Sequence, residues 1–212
     1  TVGTLFSLGN RVWFDTNNNS LISTGEVGVN GVVVQLYAAD GSGLPVGPVL
    51  GTQTTSLGGY YRFDNLPEGD YVVVIPQDNF RNVGAGDLAP ANPLAGYWSS
   101  GTSLSGASTA EIVAPDPDND VDSDDNGTLQ AGGAFAGAVI SNAVTLGTSA
   151  VPAEPTNDAD APIPNPAGEA ADNRSNRTVD FGFYRTSIGD QIFYDANTSG
   201  TYGGGGDIPL GG

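Results

Sequence analysis

The 212-residue chain has no cysteine, no histidine and no methionine, and its six basic residues are Arg11, Arg62, Arg81, Arg174, Arg177 and Arg185, which leaves no lysine. Without Cys there is no disulfide, no thiol nucleophile and no zinc-thiolate site. Without His the usual imidazole base and the commonest transition-metal ligand are missing. Lack of Lys removes Schiff-base chemistry and the P-loop lysine. Positive charge is scarce in total, 6 basic against 24 acidic residues for a net charge of -18. Nucleic acid and anionic membranes would be repelled over the whole surface, so neither is expected as a partner. Cations are. No apolar run approaches the roughly 18 residues that cross a bilayer, and no basic segment followed by an apolar one marks a signal peptide. The chain opens at Thr1, so a leader already removed, or a segment of a larger protein, is the expectation. A Cys-free, acidic, Gly- and Thr-rich composition fits an extracellular, cell-surface location.

What is present argues for a folded chain. Hydrophobic residues make up 38% and there are 8 Phe and 8 Tyr, apolar surface that a disordered acidic tail lacks. Apolar residues alternate or cluster in short runs bounded by Gly, Pro, Asp and Asn. Strands are expected over 7–14, 31–38, 49–56, 60–66, 70–76, 134–146 and 177–185, with weaker candidates at LFSL, 96–100 and 109–114. No window keeps a helical period. Gly58-Gly59 and Pro67-Glu68-Gly69-Asp70 read as hairpin turns, which would lay the strands of 49–76 side by side. Such a sheet needs a second one to cover its apolar face, so the expected fold is all-β, a two-sheet antiparallel β-sandwich with long loops.

The candidate chemistry lies in those loops. Asp15, Asn17, Asn19, Leu21 and Glu26 stand at positions 1, 3, 5, 7 and 12 of an EF-hand-type loop. Three side-chain oxygens, one main-chain carbonyl and a closing carboxylate able to bind through both oxygens are the hard ligands calcium takes. The loop departs from the pattern at Ser20, where Gly is usual, and at Ser23, which would act through its hydroxyl or a water. The phrase SLGNRVWFDTNNNS returns 180 residues later as SIGDQIFYDANTSG, with Asp195, Asn197, Ser199, Thr201 and, one position late, Asp207 as a second ligand set. A third candidate combines Asp122, Asp124 and Asn126 with Asp118 and Asp120; it lacks a twelfth-position acid, and Asp116, Asp158, Asp160 and Asp172 are available to complete it. Crowded carboxylates of this kind need counter-charge to stay ordered. Five Asn-x-Ser/Thr sequons, at Asn18, Asn126, Asn173, Asn176 and Asn197, fall in or beside these loops, whose Asn-rich composition explains them. Trp13 and Phe14 point to opposite faces of one strand. Burial is the favoured reading of Trp98, with a carbohydrate platform as the alternative.

SLGNRVWFDTNNNSLISTGEVGVNGVVVQLY, GGYYRFDNLPEGDYVVVIP, NDVDSDDNG and DNRSNRTVDFGFY together resemble SdrD B-like domains, the B-type repeats of bacterial serine-aspartate adhesins within the collagen-adhesin B-type, prealbumin-like sandwiches. The resemblance covers 7–186 and restarts at 187–212. It implies a calcium-stabilised, non-enzymatic spacer domain of an extracellular bacterial protein, with Asp15, Asn17, Asn19, Leu21 and Glu26 as first-site ligands. The Lys-Asn isopeptide cross-links of related sandwiches are impossible without Lys. The expected organisation is an N-terminal strand or linker at 1–6, the sandwich at 7–186, and an incomplete second repeat at 187–212. Val2, Leu5 and Phe6 fall where Val33, Leu36 and Tyr37 would, so residues 1–6 of one copy are expected to complete the unfinished repeat of the next, head to tail, in a fibre. An adhesin-type module for a host or carbohydrate ligand is the competing reading; a two-carboxylate glycosidase is a third, disfavoured because the acids lie in metal-like spacings.

Overall fold

The computed structural model describes residues 3–80, 92–101, 103–105, 108–110, 112–118, 123–148, 169–185, 193–194 and 208–209. Strands are β1 (Phe6–Phe14), β2 (Val33–Ala39), β3 (Pro45–Thr54), β4 (Tyr60–Leu66), β5 (Gly69–Ile75), β6 (Trp98–Ser99), β7 (Ser103–Ser105), β8 (Ser108–Ala110), β9 (Thr128–Leu129), β10 (Val139–Ile140), β11 (Val144–Leu146), β12 (Ser175–Asn176), β13 (Phe181–Tyr184), β14 (Phe193–Tyr194) and β15 (Ile208–Pro209). Two short 3-10 turns are the only helical pieces among the described residues. The fold is the expected all-β sandwich.

One sheet is organised on β1. Strand β4 runs antiparallel along one edge, and the other edge carries β12 and then β13, both parallel to β1, with β6 beyond β13. The second sheet has the order β3-β2-β5-β10-β9, and β11 also pairs with β5. Their facing sides meet in one core that includes Phe6, Leu8, Val12, Val34, Leu36, Tyr61, Phe63, Val73, Ile75, Val139, Leu146, Phe181 and Phe183. Strand β5 is buried on both faces. Tyr71, Val73 and Ile75 enter the core, while Val72 and Val74 pack outside it on Ala138 and Ile140, beside Tyr37 and Phe135. Trp13 points out of the core, as the pleat requires, and is fully buried over Gly182; Phe14 packs against the core edge and stacks on Tyr97 at 4.4 Å.

The expected pairing of consecutive strands is not what forms. Strand β3 lies beside β2, β4 beside β1, and β5 beside β2, so the chain crosses from sheet to sheet at each supposed hairpin turn. The hairpin is instead β2–β3, turned by Asp40, whose Oδ1 accepts Ser42 N–H at 2.8 Å and Leu44 N–H at 3.0 Å. Gly58-Gly59 serves a close crossing. Both have positive φ, and Gly59 sits against Val12 and Gly28 while its carbonyl accepts Val12 N–H at 2.8 Å. The expected strand at 134–146 is divided: β10 and β11 both lie on β5, and between them Ser141 binds Val73 through N–H to O at 2.9 Å and Oγ from N–H at 3.0 Å. The C-terminal strand is shorter than expected, because Asn176 Oδ1 bends the chain by accepting Thr178 N–H at 3.0 Å.

A buried ion-pair cluster fastens residue 169 onward to the sheet. Arg62 binds Asp64 at 2.8 Å and Glu169 at 3.0 Å, and Arg177 reaches Glu169 at 3.4 Å. Phe6 opens β1, pairs with Leu66 and is fully buried. It belongs to this sandwich, which corrects the grouping of residue 6 with a strand donated to another copy.

Gly25 and Gly59 share φ = +93°, but a Cβ at 25 would meet nothing within 4 Å, whereas one at 59 would lie 2.1 Å from the Val12 oxygen. Gly25→Ala should therefore cost only the left-handed penalty of about 1–2 kcal/mol. Gly59→Ala should add about 1–3 kcal/mol of overpacking. Urea unfolding of both variants checks this; equal losses would contradict the close crossing.

Candidate metal centre

The first loop leaves β1 at Asp15, whose N–H is held by Phe183 O at 2.9 Å and whose side chain is fully buried. Its carboxylate accepts Asn19 N–H at 3.2 Å, Ser20 N–H at 2.8 Å and Ser100 Oγ–H at 2.8 Å. Asn17 Oδ1 accepts Asn19 N–H at 3.1 Å and Asn19 Oδ1 accepts Leu21 N–H at 3.0 Å, successive Asx turns that wind the chain. Asn18 and Ser20 take positive φ of 53° and 61°. At the far end Glu26 accepts Thr16 N–H at 2.7 Å on Oε1 and Ser23 N–H at 2.9 Å on Oε2, which closes the loop. The structure thus brings Asp15, Asn17, Asn19, Leu21 and Glu26 into one compact turn. In its middle, Ser23 Oγ accepts Asn17 Nδ2 at 3.3 Å and Asn19 Nδ2 at 3.1 Å and donates to Leu21 O at 3.4 Å.

These residues fit a hard divalent cation in kind. Asp15 and Glu26 supply two negative charges, and carboxylate and amide oxygens that accept one N–H keep a further lone pair. Among the described residues no three acidic side chains meet in a group of metal-ligating geometry, so a cation in the first loop would need amide and main-chain oxygens beside its two carboxylates.

Of the third candidate set, the described residues Asp118, Asp124 and Asn126 each have different partners. Asp124 is paired in the backbone with Leu21 of the first loop, with Ile22 N–H to Ser123 O at 2.8 Å and Asp125 N–H to Ser20 O at 3.0 Å alongside. Asn126 is fully buried against β13, its Oδ1 accepting Asp180 N–H and its N–H donated to Asp180 O, both at 2.9 Å. Asp118 lies elsewhere: its oxygens accept Thr145 N–H at 3.0 Å on β11. Burial raises the Asp118 pKa from its ordinary value, the Thr145 bonds oppose the rise, and Asp116 and Asp70 add to it. Asp120 and Asp122 fall outside the described residues, as do Asp195, Asn197, Ser199, Thr201 and Asp207 of the second loop. The strands flanking that second loop are described. Phe193 pairs with Pro209 and Tyr194 with Ile208, the register in which Trp13 faces Gly28 and Phe14 N–H reaches Val27 O, once the extra residue of the second loop is counted.

The sequence reading missed Asp180 and Asp125. Asp180, fully buried, accepts Arg11 N–H at 2.9 Å and Ser123 N–H at 3.1 Å. Asp125 Oδ1 accepts Gly182 N–H at 2.9 Å and Gly127 N–H at 3.1 Å. A lone acid inside the apolar run around Val179 and Phe181 was the available signal. Of the sequons, Asn126 and Asn176 are fully buried. Trp98 is not buried as favoured: it is 37% exposed, on a cleft of about 420 Å³ with Phe80, Tyr97, Leu129, Val139 and Gln77.

An acidic β-sandwich whose first loop packs against the strand β13 is the class defined here, and comparison with known proteins places part of it in a family. Residues 6–92 match the family model of the SdrD B-like domain. The resemblance drawn from the first two sequence phrases is borne out there; the other two phrases lie beyond the matched stretch. The chain is 46% identical over 68 residues to serine-aspartate repeat-containing protein I of Staphylococcus saprophyticus, covering 32% of this chain and 3% of that protein. It is 41% identical over 68 residues to the fibrinogen-binding protein of Staphylococcus epidermidis, 32% of this chain and 6% of that protein. Over 92 residues it is 34% identical to Colossin-A of Dictyostelium discoideum, 40% of this chain and 1% of that protein. The chain therefore spans only a small fraction of the length of these relatives.

Tyr61 donates its hydroxyl to Val179 O at 2.7 Å. Burial first, then the Asp180 charge, hold its pKa well above the usual phenol value, against a lowering hydrogen bond from the Asn10 backbone. An acid whose folded pKa is raised stabilises the fold below its unfolded pKa and loses that contribution as pH rises through the folded one. Stability should hold to about pH 10 and fall above it. Tyr61→Phe should flatten this alkaline fall while costing about 1 kcal/mol at pH 7; chemical denaturation between pH 7 and 12 measures both.

Proposed function

We propose that this chain is a calcium-stabilised structural module of an extracellular, cell-surface protein, a non-enzymatic building block of a stalk or fibre. The observation that carries the reading is the first loop: Asp15 and Glu26 close a turn of oxygen ligands that is hydrogen-bonded to residues 123–125, far away in sequence. Calcium would be held by Asp15, Asn17, Asn19, the Leu21 carbonyl and Glu26, and supplies there a counter-charge for carboxylates that a chain with six arginines cannot neutralise. The loop residues do the rest: Asp15 anchors the turn to β13, Glu26 ties its end to its beginning, and Ser20 to Ile22 pair with the acidic segment. The SdrD B-like match and the serine-aspartate repeat relatives support a surface module. The matching register of β14 and β15 supports a second copy of the same loop with Asp195, Asn197, Ser199, Thr201 and Asp207, and so tandem or head-to-tail repetition of the unit. Since Phe6 belongs to its own sandwich, the donated segment in such a contact is 1–5.

A second reading, a binding module for a host or carbohydrate ligand, rests on the exposed Trp98 at its aromatic cleft. A weak-affinity glycan screen in which Trp98→Ala abolishes binding would support it.

Saturating calcium at one hundred times its dissociation constant should stabilise the fold by about 2.7 kcal/mol. Chelator titration with calorimetry should lower Tm, and Glu26→Gln should weaken calcium binding measured by isothermal titration while the sandwich stays folded. An unchanged Tm with no metal by elemental analysis would end the calcium reading.

A further inference from the structure

The cleft beside Trp98 lies between β6, an edge strand of the first sheet, and β9 with β10 at the edge of the second. Its volume of about 420 Å³ falls inside the range of roughly 300–1,000 Å³ usual for small-ligand sites. Tyr97 is covered, stacked on Phe14 at 4.4 Å with Arg185 over its ring at 5.5 Å. Trp98 is the exposed aromatic of the lining. A second hollow of about 210 Å³ opens on the outer face of the second sheet, lined by Gln35, Tyr37, Phe135 and Ala138 among others. Tyr37 and Phe135 are half-buried and meet edge to face at 5.2 Å. Gln35 Oε1 accepts the Tyr37 hydroxyl at 3.2 Å, which fixes that amide and leaves its Nε2 to donate.

Gln77 lines both hollows, so they adjoin at its side chain. Its place is built into the fold: a Cβ at position 137 would collide with the Gln77 amide, and Gly137, at φ = +78°, makes the room. The lining chemistry selects the ligand. No charged side chain lines either hollow, although the chain carries 24 acidic and 6 basic residues. A cationic ligand would be drawn to carboxylates elsewhere, and an anionic one would meet the repulsion of net charge -18 with no lining arginine to offset it. A wholly apolar ligand would cover the Gln35 amide without answering it. A neutral sugar has apolar C–H faces for aromatic rings, and hydroxyls that both donate and accept, as a glutamine amide does.

We propose that the two hollows are consecutive subsites for a neutral oligosaccharide. One ring lies on Trp98, the Gln77 amide binds at the step between, and a further ring meets Gln35 and the Tyr37–Phe135 pair. This rests on the carbohydrate-binding reading above and extends it from one aromatic platform to a groove that takes a chain longer than one ring. No candidate calcium ligand lines either hollow, so binding is the same in calcium and in chelator.

The test uses the full chain with glucose, cellobiose and cellotetraose, the N-acetylglucosamine series of the same lengths, and tetragalacturonic acid as the charged control. Amide NMR shifts followed up to about 10 mM sugar should show a neutral tetrasaccharide bound, its single ring at least about tenfold weaker, and the uronate tetramer unbound. Trp98→Ala should weaken the tetrasaccharide by about tenfold or more. Gln35→Ala should weaken it by about threefold or more while leaving the disaccharide unchanged, with Tm unchanged in both variants. Loss of binding in Trp98→Ala with no effect of Gln35→Ala would confine the site to one hollow and overturn the groove, while the carbohydrate reading stands. Tighter binding of the uronate tetramer would overturn the neutral assignment. Binding of neither neutral tetrasaccharide would overturn the proposal and the carbohydrate reading together.

Discussion

The sandwich depends on how its last strand is held against its first, and the Asp180 carboxylate sits at that seam. Strand β1 supplies Arg11 N–H, the acidic segment supplies Ser123 N–H, and the main chain on either side of Asp180 exchanges two hydrogen bonds with Asn126. A buried carboxylate is tolerable only when its lone pairs are met by donors. Here the donors come from two segments far apart in the chain, β1 and the acidic segment, so meeting Asp180 requires both to be in place. The candidate cation loop is built onto the same seam: Asp15 follows β1 directly, its N–H bonds to Phe183, and residues 20–22 pair with 123–125. Loop and seam therefore form or fail together, which is why a cation bound at a surface turn can act on the stability of the whole sandwich.

Alternation made the strands legible. The run YYRFDNL is read from sequence with the same ends that β4 has, because both turn signals and pleat period coincide there. Pairing was not legible from the same signals. Gly58-Gly59 marks a reversal correctly, but a Gly pair at positive φ is equally what a chain needs to pass within contact distance of another backbone, and the Val12 and Gly28 neighbours that decide between the two uses are thirty or more residues away. The run at 134–146 shows the same limit. Its apolar content signals burial, yet Ser141 is a polar break whose partner, Val73, only the folded sheet reveals.

The candidate site was legible where its ligands are consecutive and illegible where they are not. Asp15 to Glu26 close on themselves through Asx turns and local N–H donors, so spacing alone specifies them. The Asp122–Asn126 phrase has similar spacing but a different structural use: Asp125 and Asn126 bind the backbone of β13, and Asp118 is drawn off to β11. Spacing reports what a turn could hold, whereas the partners of a buried acid are set by which strand lies over it. Trp98 fails for a related reason, since the cover expected of a large aromatic depends on packing around positions 77–80 and 129–139 that carries no local mark.

Charge bookkeeping connects these points. Arg62 and Arg177 are committed to Asp64 and Glu169, Arg11 lies over Tyr60 and donates Nε to Gly58 O, and Arg185 lies over Tyr97. The buried acids Asp15, Asp125 and Asp180 are each met by backbone N–H groups. Backbone dipoles stabilise a carboxylate locally but carry no net charge, so they do nothing for the long-range repulsion among 24 acids. Only mobile or bound cations relieve that. Backbone donors to Asp15, Asp125 and Asp180 thus answer the local cost of burying those carboxylates, and the long-range repulsion of the net charge is a separate problem that they leave to counter-ions.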